Sequence, residues 1–323
     1  TRFFEAMSNQ VIQRLSRATN DYAGFKGQEI SNICWSCATI NCHFPDMLDV
    51  ISSSMCRLCE LPGGGYSARS IAQQQCKRQE LSNMAWSCAV LNHYPPGLMD
   101  LLYAGLVGNG DERNAEYLSQ VFGDGGLQKQ AIMSLLYVQM AVDMEWPNNA
   151  LTLPENFPDG WGSNDDVASD AGVSVLSLST SRIQSDVSTT FDRIGFRHTE
   201  EHVIDMDELS INHGIQLSSK PSLEILSIDI ADVDKKVGIE VDGPGHFISV
   251  LDTWSPQEET RGHVKLSKGK MEYQFEWDDR HLINGSTALK DRLLQGLGWR
   301  ILHIPFWEWH ALKGDARAKE EYC

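Results

Sequence analysis

The chain has 323 residues, 41% of them hydrophobic and 22% charged, and a formal net charge of −17. That length fits about two domains of ordinary globular usage. No apolar run reaches the roughly 18 residues of a spanning helix, so no membrane segment is expected. A charge of this sign excludes a protein that holds nucleic acid by bulk positive charge.

Self-similarity organises the first half. Gln28 to Ile51 reads QEISNICWSCATINCHFPDMLDVI, and Gln79 to Leu102 reads QELSNMAWSCAVLNHYPPGLMDLL. The offset is 51 residues, and 11 of the 24 positions are identical. A third copy is expected from Gln130, aligning Trp35, Trp86 and Tyr137, then Asn41, Asn92 and Asp143, then Pro45, Pro96 and Pro147. Ile30, Ile33, Cys34, Cys37 and Ala38 fall on one helical face, as do Leu81, Met84, Ala85, Cys88 and Ala89. Asn41 and Asn92 suit the left-handed position that ends a helix. Pro45 and Pro96 suit the first turn of the next one. The unit therefore reads as two helices with one apolar side, which must stack on its neighbours. The spacers around Gly63 and Gly108 read as loops, and Phe3 to Leu15 reads as the second helix of an earlier copy.

Seven of the eight cysteines lie in the first 90 residues, within these helical patterns. Cys34-x-x-Cys37 and Cys56-x-x-Cys59 match a zinc-ribbon spacing. The internal alignment favours buried thiols instead, because later copies carry Ala85, Leu136 and Gln139 at matching positions. No zinc is expected. Trp35 and Trp86 are candidates for stacking on bases or for packing between repeats. The motif S-N-x-x-W-S-C-A-x-x-N, followed by Pro and a Leu-rich helix, resembles octotricopeptide-type repeats and the helical segments of FAST-kinase-like organellar proteins. The resemblance covers residues 1–147 and implies a solenoid that binds single-stranded RNA.

Residues 148–181 contain five acids and no Lys or Arg, with Pro, Gly and Ser throughout. They read as an acidic flexible linker. The chain starts at Thr1 without Met, so any targeting segment lies outside this sequence.

Residues 182–323 read as a compact α/β domain. An amphipathic helix runs from Ile183 to Ile194. Leu223–Ala231 and Val237–Gly243 are strands, Ala288–Gln295 is a helix after Thr287, and Trp299–Pro305 is a last strand. Glu240 and Asp242 sit two apart on one strand, and Asp229 can lie opposite. Such a cluster of oxygen ligands suits Mg²⁺ or Mn²⁺ acting on a phosphodiester, with Asp229, Glu240 and Asp242 as ligands. His246 could act as general base or phosphate ligand, and Lys290 and Arg292 could neutralise a phosphate. Within an insertion at 248–284, a β-hairpin is expected around Ser267 to Lys270. Lys265, Lys268 and Lys270 would gather near its tip as an RNA contact.

The strings S-I-D-I-A, I-E-V-D-G-P-G-H-F, A-L-K-D-R-L-L-x-x-L-G-W-R-I-L and I-P-F-W-E-W resemble a RAP domain (RNA-binding domain abundant in apicomplexans). The resemblance implies a PD-(D/E)XK endonuclease-like fold, with the metal acids at Asp229 and Glu240. The class motif places Lys where Asp242 stands, so Lys290 would replace it from the helix. It also implies a mitochondrial or plastid setting, with single-stranded RNA and organellar ribonucleoprotein components as partners. The expected function is RNA binding in the processing, stability or translation of organellar mRNA or rRNA. A Mg²⁺-dependent endoribonuclease and a protein-interaction scaffold stay open as alternatives.

Overall fold

A computed structural model of the protein describes residues 2–17, 24–146, 149–155, 157–158, 160–162, 181–204, 226–249, 264–267, 270–273 and 281–323. The N-terminal part is helical: α1 (Arg2–Arg17), α2 (Gly27–Thr39), α3 (Pro45–Cys59), α4 (Ala68–Gln73), α5 (Arg78–Val90), α6 (Leu98–Leu106), α7 (Ala115–Phe122) and α8 (Lys129–Glu145). Helices α2, α5 and α8 begin at 27, 78 and 129, which is the step read from the sequence. They pack side by side, α2 on α5 and α5 on α8. Helices α1, α3 and α6 form a second row, with α1 where an earlier copy would place it.

The repeated residues explain this stacking. Ser31 Oγ donates to the Glu80 carbonyl at 3.1 Å, and Ser82 Oγ, one repeat later, donates to the Ala131 carbonyl at 3.5 Å. Both serines are fully buried, so each hydroxyl finds its partner on the next helix. Asn41 and Asn92 take the left-handed conformation, with φ of 51° and 46°. Pro45 opens α3. Pro96 does not open α6, which starts at Leu98 behind Gly97 at φ 76°. The first two units also hold more than two helices, because α4 and α7 interrupt the spacers expected as loops. Six and eight residues are too short to show a helical period, although Ser67 caps α4 by accepting from Ser70 N–H. Cys34, Cys37, Cys59, Cys76 and Cys88 are buried and form no disulfide among the described residues.

The start of the stretch expected as a flexible linker packs on the repeats. Leu151, Leu153, Phe157 and Trp161 are buried. The Trp161 carbonyl accepts from Leu127 N–H at 2.8 Å. Its apolar side chains outweigh its acidic composition. Residues 163–180 of that stretch lie outside the described residues.

The C-terminal part carries α9 (Arg182–Arg193), β1 (Thr199–Val203), β2 (Ser227–Asp232), β3 (Val237–Asp242), β4 (Phe247–Ser249), β5 (Val264–Ser267), β6 (Lys270–Tyr273), β7 (His281–Ile283), α10 (Gly285–Gly296), β8 (Arg300–Pro305), α11 (Phe306–Ala311) and α12 (Ala316–Tyr322). The main sheet has the order β1-β2-β3-β8, antiparallel except for the parallel β3–β8 pair, which α10 connects. The expected hairpin is present as β5 paired with β6, with Ser267 opposite Lys270. Val187 and Phe191 of α9 join Ile230, Ile239, Val241, Ile304 and Trp309 in a core on one side of the sheet.

Helix α10 covers the other side and also meets the repeats. Leu289, Leu293 and Leu294 belong to the same apolar cluster as Ala38, Val90 and Leu136. Contact at its N-terminus is so close that a Cβ on Gly285 would lie 1.9 Å from the Ala38 carbonyl oxygen and 2.5 Å from Val90 Cγ1. Arg292 Nε reaches Glu145 Oε1 at 2.8 Å, and its other nitrogens donate to the Val90 and Ala89 carbonyls at 2.8 and 2.5 Å. Gly285→Ala should therefore lower stability by about 1–3 kcal/mol through overpacking against backbone. Gly245→Ala, whose Cβ would meet nothing within 4 Å, should change little. Urea midpoints of the two variants check this, and equal shifts would contradict it.

Candidate functional site

The site starts where the β2–β3 ladder stops. Pairing runs to Ile230 opposite Ile239, and beyond it the Asp229 side chain replaces the backbone. Asp229 Oδ2 accepts from Val241 N–H at 2.8 Å. Burial pushes this carboxyl up, opposed by that N–H and by the Lys290 charge. On β3, Glu240 is buried, and its Oε2 accepts from Lys290 Nζ of α10 at 2.6 Å. Burial, helped by the charges of Asp229 and Asp242, pushes the Glu240 carboxyl up to about 7, against the pull of Lys290. Burial alone would discharge Lys290, but the Glu240 carboxylate more than offsets it and holds the ammonium above its ordinary range.

Two residues further, Asp242 is 1% exposed. Its Oδ2 lies 2.6 Å from His303 Nδ1 on the adjacent strand β8, and His303 Nε2 lies 3.1 Å from Asp291 Oδ2 on α10. The hydrogen bond to Asp242, then the one to Asp291, pushes His303 up to about 10. A charged imidazolium thus ties two strands to the helix. His246 follows the Gly243-Pro244-Gly245 bend, with Nδ1 at 3.2 Å from both Asp242 Oδ1 and Thr287 Oγ1. Glu240 Oε1 is buried without a hydrogen-bond partner among the described residues, and the buried Asp242 Oδ1 has His246 as its neighbour.

These groups face the repeats across a cavity of about 240 Å³. Trp86 of α5 and Tyr137 of α8 form one wall, and Glu240, His246, Thr287 and Lys290 form the other. The two aromatics hold the same repeat position, 51 residues apart in the alignment. Burial raises the Tyr137 hydroxyl, and the charges of Lys290 and Glu240 also act on it.

The structure thus brings together Asp229, Glu240, Asp242, His246, Lys290 and Trp86. Trp35 remains apart, 42% exposed. Arg292 points away from the cavity into the contact with α5 and α8, because the carbonyls ending α5 and the Glu145 carboxylate draw it there. Lys265 and Lys270 lie on the paired strands of the hairpin, and Lys268 lies outside the described residues. Sequence reasoning missed Thr287, Asp291 and His303 as parts of the site. Asp291 adjoins Lys290 on α10, and His303 pairs in register with Glu240, so the parallel pairing of the two strands would have revealed it. Among the described residues, no three His, Cys, Asp or Glu side chains form a ready-made metal cluster.

Residues 239–323 match the family model of the RAP domain. That segment supplies Glu240, Asp242, His246, Lys290 and His303, whereas Trp86, Tyr137 and Asp229 precede it. The chain is also 20% identical over 311 residues to a "RAP domain-containing protein, chloroplastic" of Oryza sativa subsp. japonica. This alignment covers 90% of the chain and 39% of the relative, so the chain spans about two fifths of that protein's length.

The His303 bridge has a pH signature. A folded pKa of about 10 against an ordinary 6.5 stabilises the fold fully below 6.5, and this is lost as pH rises through about 10. His303→Gln should cost about 2–3 kcal/mol near pH 6.5, and the gap to the parent should close towards pH 10. Urea unfolding across that range checks it, and a gap independent of pH would contradict it.

Proposed function

We propose that the protein binds single-stranded RNA in an organelle and seats a nucleotide in the cavity between the repeats and the RAP domain. The observation that carries this reading is the pairing of Trp86 and Tyr137 with Lys290 across one cavity. A base has an aromatic wall to stack on, and its phosphate has an ammonium to meet. Stacking is tolerant of sequence, while the residues around His246 and Thr287 supply hydrogen-bonding groups. With a net charge of −17, the bulk of the molecule repels a phosphate chain. Binding therefore rests on a few local contacts and has a shallow dependence on salt.

In this reading the helical units are octotricopeptide-like repeats stacked as a solenoid, and the RAP domain is an endonuclease-shaped module. The "chloroplastic" description of the rice relative supports an organellar location, plastid or mitochondrial. The role would be in processing, stability or translation of organellar mRNA or rRNA.

A second reading, metal-dependent endoribonuclease, is favoured by Glu240 Oε1, buried without a hydrogen-bond partner among the described residues, and by the neighbouring buried Asp242 Oδ1, which faces His246. Buried carboxylate oxygens fit a hard divalent cation, which takes one or two carboxylates and completes its shell with water and substrate phosphate. Asp229, Glu240 and Asp242 would be its neighbours. Bound there, Mg²⁺ or Mn²⁺ would polarise the phosphodiester. His246, oriented through Nδ1, would take a proton from water at its other nitrogen. Lys290 would hold the phosphate.

Trp86→Ala should weaken binding of a short single-stranded RNA by about 1–3 kcal/mol, roughly 5- to 150-fold, measured by fluorescence anisotropy. No RNA binding by the parent protein, with partner proteins still captured, would overturn the reading in favour of a scaffold. For the second reading, Glu240→Gln should abolish Mg²⁺-dependent cleavage while RNA is still bound, and a parent protein that cuts no RNA would remove it.

A further inference from the structure

On the sheet face away from α10, a groove of about 400 Å³ lies among α9, α11 and α12. Arg182, His310, Lys313 and Lys319 line it, with Asp186 as its one carboxylate. That carboxylate is already matched from within the fold. Lys319, 9% exposed, places Nζ 2.5 Å from Asp186 Oδ2, and Trp309 Nε1 donates to the same oxygen at 2.9 Å. The Lys319 ammonium also sits 5.0 Å from the centroid of the buried Trp309 ring. Asp186 therefore cannot neutralise the rim. Arg182 and Lys313 are exposed and make no ion pair among the described residues. In a chain carrying −17, such a local excess of cations is the place where a polyanion gains rather than loses on approach.

We propose that this groove is a second RNA contact, binding backbone phosphates through Arg182 and Lys313 while the cavity holds a nucleotide on the other side of the sheet. The proposal rests on the RNA reading of the cavity. It goes beyond that reading by giving a longer strand a separate electrostatic anchor. The groove offers cations and little else, so it reads phosphate and not sequence.

The full chain and an Arg182→Gln/Lys313→Gln double variant would be titrated with single-stranded RNA of about 4 and about 16 nucleotides over a range of salt. Both substituted residues are exposed, so the fold should persist, and a circular-dichroism melt verifies it. The variant should bind the long RNA roughly tenfold more weakly at low salt, with a log–log salt slope smaller by about 1.4, for two lost phosphate contacts. Its affinity for the short RNA should equal that of the parent. An unchanged affinity for the long RNA, or an equal loss on both lengths, would overturn the groove while leaving the cavity reading standing. A parent protein that binds neither RNA would overturn both. If the parent bound polyglutamate but no RNA, and the variant lost that binding, the groove would be a dock for an acidic protein and the proposal would be wrong.

Discussion

One helix carries the constraint on which the rest of the structure depends. Helix α10 must close the β3–β8 crossover on one side, and it must fit against the ends of α2, α5 and α8 on the other. Leu289, Leu293 and Leu294 satisfy the apolar part of both demands within a single cluster. Gly285 allows approach to the Ala38 backbone that no larger residue would permit. Arg292 supplies the polar part, meeting the carbonyls of Ala89 and Val90 at the C-terminal end of α5, and completing its charge with Glu145. Such a planar fork suits several acceptors at once. The orientation of α10 then fixes where Lys290 and Asp291 point.

The electrostatics follow from that placement. Glu240 and Asp242 are both buried, in a protein that is already strongly acidic. Buried carboxylates persist only with partners. Each has received a basic partner: Lys290 from α10 for Glu240, and His303 from β8, together with His246, for Asp242. Glu240 keeps one oxygen without a hydrogen-bond partner among the described residues, whereas both oxygens of Asp242 face a histidine. The arrangement holds the sheet to the helix and leaves Glu240 and Lys290 together on the wall of the cavity. Asp291 completes the balance from the far side of His303.

How much of this could be read from residues alone varies with the range of the interaction. The 51-residue period was legible because each copy repeats its own local pattern, down to the serines that join neighbouring helices and the asparagines at φ near 50°. Helices α4 and α7 were not, being too short to show a period. Within the sheet, β2, β3 and β8 stood out as apolar runs, whereas β1, with the polar string Thr199 to Val203, did not. The carboxylates drew notice by type and spacing. Their partners did not, because His303 and Asp291 are joined to Asp242 only by parallel pairing and by the helix crossing. Arg292 shows the reverse error. Two positions after Lys290 it reads as a phosphate ligand, but about 200° around a helix separates residues two apart, and it faces the repeats. The acidic stretch after residue 148 was judged by charge, and its Leu151, Leu153, Phe157 and Trp161 decided its place instead.

If α10 binds the two halves into one core, they must lose structure together. The most direct measurement is equilibrium unfolding in urea followed at two single-tryptophan probes, Trp161 on the repeats and Trp299 beside the sheet, both buried. The account predicts superimposable transitions with one midpoint. Two separated midpoints, one for each probe, would contradict it.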